Sequence, residues 1–242
     1  MCDKMVTAVL APATLPPGRR VYAVGDVHGC LAKLRELHAV IAKDLAARPI
    51  EDALLIHLGD YVDRGPDSAG VIDLLARGPS IAGMRVINLM GNHENMMLAA
   101  LAGHPQDAPL QWRRNGGVAS LESWGIPARN NPAAWRSLIP TRHLAFIGEL
   151  QLSHREGGYL FVHAGVNPKR ALGEQIAEDL MWIREPFLSW TGDLGAVVVH
   201  GHTPAGEPTI RPNRIGIDTG AVLGGRLTSV VLEADTLRFM QV

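Results

Sequence analysis

Short apolar runs recur along the chain, each broken off by a turn rich in glycine, aspartate, asparagine or histidine. They occupy 21–24, 54–58, 84–90, 159–162 and 196–199. Runs so short and so uniformly apolar suit strands buried on both faces, because a half-exposed strand would alternate with polar residues. Between the first three runs the period changes. Leu31, Leu34, His38, Ile41 and Leu45 fall on one helical stripe, with lysine, arginine and glutamate elsewhere. Asp67 and Ser68 are natural N-caps for a second helix that stops at Gly78, and a third runs over about 95–101 before Gly103. Strands alternating with helices predict an α/β domain with a largely parallel first half.

Residues 104–150 have no clear strand run before Leu144 and read as a helical insertion, with helices over 111–124 and from Asn131-Pro132 to Leu138. Beyond Ile210 short β patterns return, and 226–232 and 236–242, joined by Glu233-Ala234-Asp235, predict a β-hairpin. Residues 1–17 are small, apolar and proline-punctuated, and read as a flexible lead. No repeat, low-complexity tract or linker divides the remainder, so 18–242 is read as one domain.

Composition narrows the function without choosing it. With 47% hydrophobic and 19% charged residues, the chain reads as an ordinary soluble globular protein. A formal net charge of −1 gives no sign of a nucleic-acid binder held by phosphate neutralisation. Two cysteines, Cys2 and Cys30, build no disulfide framework and suit a reducing cytosol. Residues 1–17 lack the basic and long apolar segments of a secretory signal, and no window has the apolar length of a membrane span. The expected setting is cytoplasmic, with neither nucleic acid nor membrane as a partner.

The chemistry sits in the turn at the end of each strand. The turns read Gly25-Asp26-Val27-His28-Gly29, Gly59-Asp60-Tyr61-Val62-Asp63-Arg64-Gly65, Gly91-Asn92-His93-Glu94, His163-Ala164-Gly165 and His200-Gly201-His202-Thr203-Pro204. Ligands of open α/β sheets bind beyond the carboxyl ends of the strands, so five such loops can converge on one crevice. Aspartate, asparagine and histidine without thiolate form a mixed oxygen and nitrogen set. It suits manganese, iron or zinc better than a magnesium site or a structural zinc cage. Any one of these turns alone is unremarkable; the specificity lies in the combination.

The first three turns resemble the signature motifs of the phosphoprotein phosphatase family, within the calcineurin-like metallophosphoesterases. Val162-His163-Ala164-Gly165, Trp182-Ile183-Arg184-Glu185 and Gly201-His202-Thr203-Pro204 resemble its bacterial and phage serine/threonine branch. The resemblance implies an α/β fold, a sandwich of two mixed β-sheets flanked by α-helices. It implies two divalent or mixed-valence metal ions, manganese first and iron or zinc as alternatives. Asp26 and His28 would bind the first, Asp60 would bridge both, and Asn92, His163 and His202 would complete the second. His93, paired with Asp63, would be the acid beside the leaving group, and Arg64 and Arg184 would hold phosphate oxygens. The implied reaction is direct attack of a metal-bridging hydroxide on phosphoserine or phosphothreonine, and on phosphotyrosine as a further option, in a phosphoprotein or phosphopeptide.

The nearest rival is a symmetrical dinucleoside tetraphosphate hydrolase of the same superfamily, whose typical motifs carry alanine at the place of Asp63 and aspartate at that of Glu94. A non-catalytic phosphoprotein-binding scaffold is a third reading, disfavoured because every expected ligand, His93 and both arginines are retained. Nucleases of the superfamily resemble Gly-His-x-His, where this chain has Pro204. His200, Asp218 and Cys30 are expected to support or pack, Glu94 to orient its neighbours, and the five tryptophans to pack, although the stretch around 112–115 is placed to roof the site.

Overall fold

In the computed structural model, which describes residues 8–78 and 81–242, the apolar runs form the centres of two sheets. The first contains β1 (Val9–Leu10), β2 (Arg19–Val24), β3 (Asp52–His57), β4 (Met84–Asn88), β10 (Thr228–Glu233) and β11 (Thr236–Gln241), in the order β1-β11-β10-β2-β3-β4. The second contains β5 (Ser153–Glu156), β6 (Tyr159–Val162), β7 (Val197–His200), β8 (Thr209–Arg211) and β9 (Arg214–Gly216), in the order β5-β6-β7-β9-β8. β2, β3 and β4 are parallel to one another, as are β6, β7 and β9; the flanking strands run antiparallel. Both sheets are therefore mixed.

The two-fold repeat of a strand explains why the runs are apolar throughout. Val21, Ala23, Leu54 and Ile56 point between the sheets, where they meet Tyr159, Phe161, Val197 and Val199. Their neighbours Tyr22, Val24 and Leu55 point the other way, into a layer of helices. On the far side of the second sheet Leu160, Val162 and Val198 are covered by Leu180, Ile183 and Phe187. The central strands of both sheets are thus buried on both faces, while the edge strands β1 and β8 are largely exposed.

The helices are α1 (Leu31–Ala47), α2 (Ser68–Ala76), α3 (Asn92–Ala102), α4 (Ala108–Trp112), α5 (Val118–Ser123), α6 (Pro132–Leu138), α7 (Thr141–Gly148) and α8 (Ala177–Trp182). Asp67 caps α2 by accepting from the Gly70 amide, as the sequence predicts. α3 starts at Asn92, earlier than its apolar period indicates, so the Gly-Asn-His-Glu motif is its first turn. α4 to α7 fill the 104–150 stretch; Trp112, Leu121, Trp135 and Ile147 pack in the same core as the helices of the first half. Between α4 and α5 the chain makes a π-helical turn, Arg113–Gly117, kinked at Gly116 with φ 106°. The lead read over 1–17 is described from residue 8: β1 forms the edge of the first sheet by pairing with β11, and Leu15 is buried. Its first seven residues, with Cys2, lie outside the described residues.

Candidate metal centre

The five loops leave the carboxyl ends of β2, β3, β4, β6 and β7, and they meet. Two groups of buried donors result: His28, Asp60 and His93, and Asp60, His163 and His202, each with ligand atoms within 4.8 Å of one another. Asp60 belongs to both. Its Oδ2 lies 3.4 Å from His28 Nε2 and its Oδ1 3.4 Å from His163 Nε2, so its two oxygens face two different imidazoles.

Backbone carbonyls fix the rings. His28 Nδ1 lies 2.8 Å from the Val62 carbonyl and His163 Nδ1 2.9 Å from that of Leu58, so each donates through Nδ1 and turns Nε2 into the site. Asn92 Oδ1 lies 2.9 Å from both His163 Nε2 and His202 Nδ1. His202 Nε2 is buried without a partner. Oxygen and nitrogen acceptors converge here with too few protons between them, which is the environment a cation satisfies. The titration behaviour agrees. Burial would lower the His163 pKa, yet the Asp60 carboxylate overrides it and pushes the imidazole up to about 10. In the absence of a cation a proton on His163 therefore offsets the Asp60 charge, and a metal would have to displace it. Burial holds His28 at about 4 and His202 at about 3, the neutral forms that a metal requires. Asp60 is held well below the ordinary carboxylate range because its imidazole neighbours, His163 foremost, outweigh its burial.

Asp26 stands outside both groups. Its oxygens accept from the His202 amide at 3.2 and 3.0 Å, and burial, then the adjacent Asp218 carboxylate, raises its pKa well above the usual value. A second acid facing Asp26 is a feature that the sequence hides, because Asp218 sits in an ordinary-looking turn and accepts from the Gly220 amide. Two carboxylates this close repel unless a proton or a cation lies between them.

His93 is placed with Asp63: Nδ1 to Oδ2 is 2.7 Å, and both residues are buried. Asp63 also accepts from Ser120 Oγ at 2.6 Å and from the Trp112 indole at 2.9 and 3.0 Å. Trp112, expected to pack within a stretch placed to roof the site, thus has a polar task, and Ser120 carries no sequence signal. Arg64 is exposed and its Nη1 lies 2.8 Å from His28 Nε2, at the mouth of the site. Arg184 is also exposed and near enough to depress the His202 pKa; its carbonyl accepts from the Leu188 amide at 2.9 Å, while no hydrogen bond among the described residues holds its guanidinium. Of the expected site residues, then, Asp60, His28, Asn92, His163, His202 and the His93–Asp63 pair are gathered directly, Asp26 lies alongside through the His202 amide, and the two arginines stand at the rim.

Glu94 holds the loops. Its Oε2 accepts from the amides of Asp60 (2.8 Å) and Gly91 (3.0 Å), and its Oε1 from those of Tyr61 (2.7 Å) and Val62 (3.1 Å). Gly91 is required at this junction, since a Cβ there would lie 2.2 Å from Asp60 Oδ1. Local strain gathers at the same place. Among the described residues the non-glycine positions with positive φ are His28, Asp60, Asp63, Arg64, His202 and the hairpin residue Ala234, so five of the six belong to the site. Such conformations cost about 1–3 kcal/mol each and persist only where the surroundings enforce them.

Comparison with known proteins agrees with this geometry. The calcineurin-like phosphoesterase family model matches residues 19–224. Serine/threonine-protein phosphatase 1 of Salmonella typhimurium is 32% identical over 217 residues, covering 87% of this chain and 90% of its own. The symmetrical bis(5'-nucleosyl)-tetraphosphatase of Methylococcus capsulatus is 31% identical over 182 residues, 75% of this chain; the match spans about half, 51%, of that relative's length. A solved structure described as a proposed diadenosine tetraphosphatase superposes with a TM-score of 0.66 at 25% identity, covering 95% of this chain and 98% of that one. Among the described residues no helix is long and apolar enough to cross a membrane. The donor geometry and the length of the match place this chain in the calcineurin-like phosphoesterase family, as a metal-dependent hydrolase similar to serine/threonine protein phosphatases.

Proposed function

We propose that the chain hydrolyses phosphoserine and phosphothreonine in phosphoproteins or phosphopeptides, with two ions, manganese first, held by Asp26, His28, Asp60, Asn92, His163 and His202. The observation that carries this reading is Asp60, whose two oxygens face the two separate imidazole groups and so suit a bridge. Bound ions of this kind polarise phosphoryl oxygens and make water acidic enough to act near neutral pH.

The chain's own residues supply the rest. Arg64 and Arg184 flank the opening, and planar guanidiniums there take equatorial oxygens and offset the charge that grows on them. Asp63 occupies His93 Nδ1, which leaves Nε2 to give its proton to the departing oxygen. A serine alkoxide leaves poorly unprotonated, so this transfer contributes roughly 10²–10⁴-fold. His93 also lies within the first donor group, but its bond to Asp63 favours the acid role over ligation.

Hydrolysis of a dinucleoside tetraphosphate is the second reading, favoured by the likeness to relatives of that name. Both are tested by one assay with manganese on a phosphothreonine peptide, a phosphotyrosine peptide and diadenosine tetraphosphate. The peptide with phosphothreonine is expected to give the highest kcat/KM, and loss of turnover on chelation is expected with all three. A clear preference for the dinucleotide overturns the substrate and leaves the site intact.

A further inference from the structure

The Asp63 carboxylate is held at more points than a pair with His93 needs. The Trp112 indole N–H spans both of its oxygens, and the Ser120 hydroxyl caps Oδ1. The Ser120 Oγ also accepts from the Asp63 amide at 2.7 Å, so one hydroxyl ties the side chain to its own backbone. That backbone sits at φ 74°, a conformation a non-glycine residue keeps only when clamped. A carboxylate bonded to a histidine alone can still turn about its own axis and carry the ring with it. A donor across both oxygens and a second on one of them remove that freedom. Trp112 and Ser120 are both fully buried, and both come from the helical stretch between 104 and 150 rather than from a motif loop. The next residue is gripped from the same stretch: the Arg64 amide donates to the Gly116 carbonyl at 3.2 Å.

We infer that Trp112 and Ser120 are positioning residues for leaving-group protonation: they fix the Asp63 carboxylate plane and, through it, the direction in which His93 Nε2 delivers its proton. The inference rests on the leaving-group role proposed above for His93. It makes the 104–150 stretch part of the reaction apparatus for alkyl esters. The proton path balances simply: Nε2–H goes to the departing alkoxide oxygen as the P–O bond breaks, and the imidazole recovers a proton from solvent.

The test uses leaving groups of different basicity. Trp112→Phe keeps a ring against Trp135 but removes the N–H, and Ser120→Ala removes only the hydroxyl. With manganese present, each is compared with wild type on a phosphoserine peptide and on p-nitrophenyl phosphate, whose phenolate needs little protonation. Each variant is expected to lower kcat on the peptide by about 10-fold, part of the roughly 10²–10⁴-fold of an acid catalyst, with a loss at least about fivefold smaller on the aryl ester and KM within about twofold. The same substitutions in a His93→Asn background are expected to add almost nothing, because the group they aim is gone. Should Trp112→Phe melt early or lose aryl turnover, Ser120→Ala decides. Equal losses on both substrates, while His93→Asn alone remains selective for the alkyl ester, overturn the inference and spare the proposed function. Equal losses in His93→Asn itself remove the leaving-group role, and the inference with it.

Discussion

Replacing Glu94 by glutamine exchanges one carboxylate oxygen for an amide that donates. Each Glu94 oxygen accepts two backbone N–H groups, so the new NH2 faces two donors and loses both bonds, whichever way the amide turns. A hydrogen bond to a charged acceptor contributes about 1.5–3 kcal/mol, so the gross loss is about 3–6 kcal/mol. Part is returned, because the buried carboxyl is itself costly: burial first, then the Asp60 charge, raise it to about 7. A net loss of about 3 kcal/mol in a domain of this length lowers Tm by about 6–12 °C. The damage is local as well as global, since the amides released are those of Asp60, Tyr61, Val62 and Gly91, which frame the shared aspartate. Calorimetry of chelated Glu94→Gln and manganese titration of the same sample measure both. A Tm within about 2 °C of wild type, together with unchanged affinity for two ions, refutes the reasoning.

Other perturbations separate the parts of the site. On the proposed bridge, Asp60→Asn is expected to weaken both ions together, read by elemental analysis after gel filtration as loss at two positions; full occupancy of two ions contradicts the bridge. Gly116→Ala places a Cβ 2.9 Å from the Arg64 amide at φ 106°, so it displaces Arg64, and KM is expected to rise several-fold for alkyl and aryl esters alike. Acid is expected to destabilise the metal-free protein through a pair outside the donor groups, His38 and His57, whose Nε2 atoms lie 2.9 Å apart. Burial lowers them to about 4 and about 3, so below about 6.5 the unfolded chain takes up protons that the folded chain refuses. Stability is therefore lost as pH falls, by about 2 kcal/mol per imidazole at pH 5, and urea unfolding at pH 7 and pH 5 measures it. A flat profile over that interval contradicts the burial argument.

The strands and the motif loops are legible in the sequence because their signals are local. An apolar run flanked by Gly-Asp or Gly-Asn says both that the strand is buried and where it stops. Periodicity misplaces the start of α3 because Asn92 and His93 face the site and break the apolar stripe. β1, β5, α7 and α8 give no readable pattern: they are short, and the sheet or core they join defines them. Trp112 and Ser120 escape for a different reason. Their partner Asp63 is about fifty residues away in sequence, and a buried indole whose N–H meets a carboxylate looks, in sequence, like any other core tryptophan. Asp218 facing Asp26 is hidden in the same way.

The sandwich itself reaches into the chemistry further than the loops do. Asp60 and Asn92 lie just past strands of the first sheet, and His163 and His202 just past strands of the second, so the distance across the donor cluster is set by whatever separates the sheets. That spacer is wholly apolar: Ile56, Phe161, Val199 and Val230 among others, at the roughly 10 Å typical of stacked sheets. Adding a methylene there, as in Val199→Leu, strains a close-packed layer and spreads the imidazoles from the carboxylate, and displacements near 1 Å at a reacting centre can cost about 10²-fold. The spacing of the donors is accordingly set from an oily interior, by residues that own no lone pair to offer a cation.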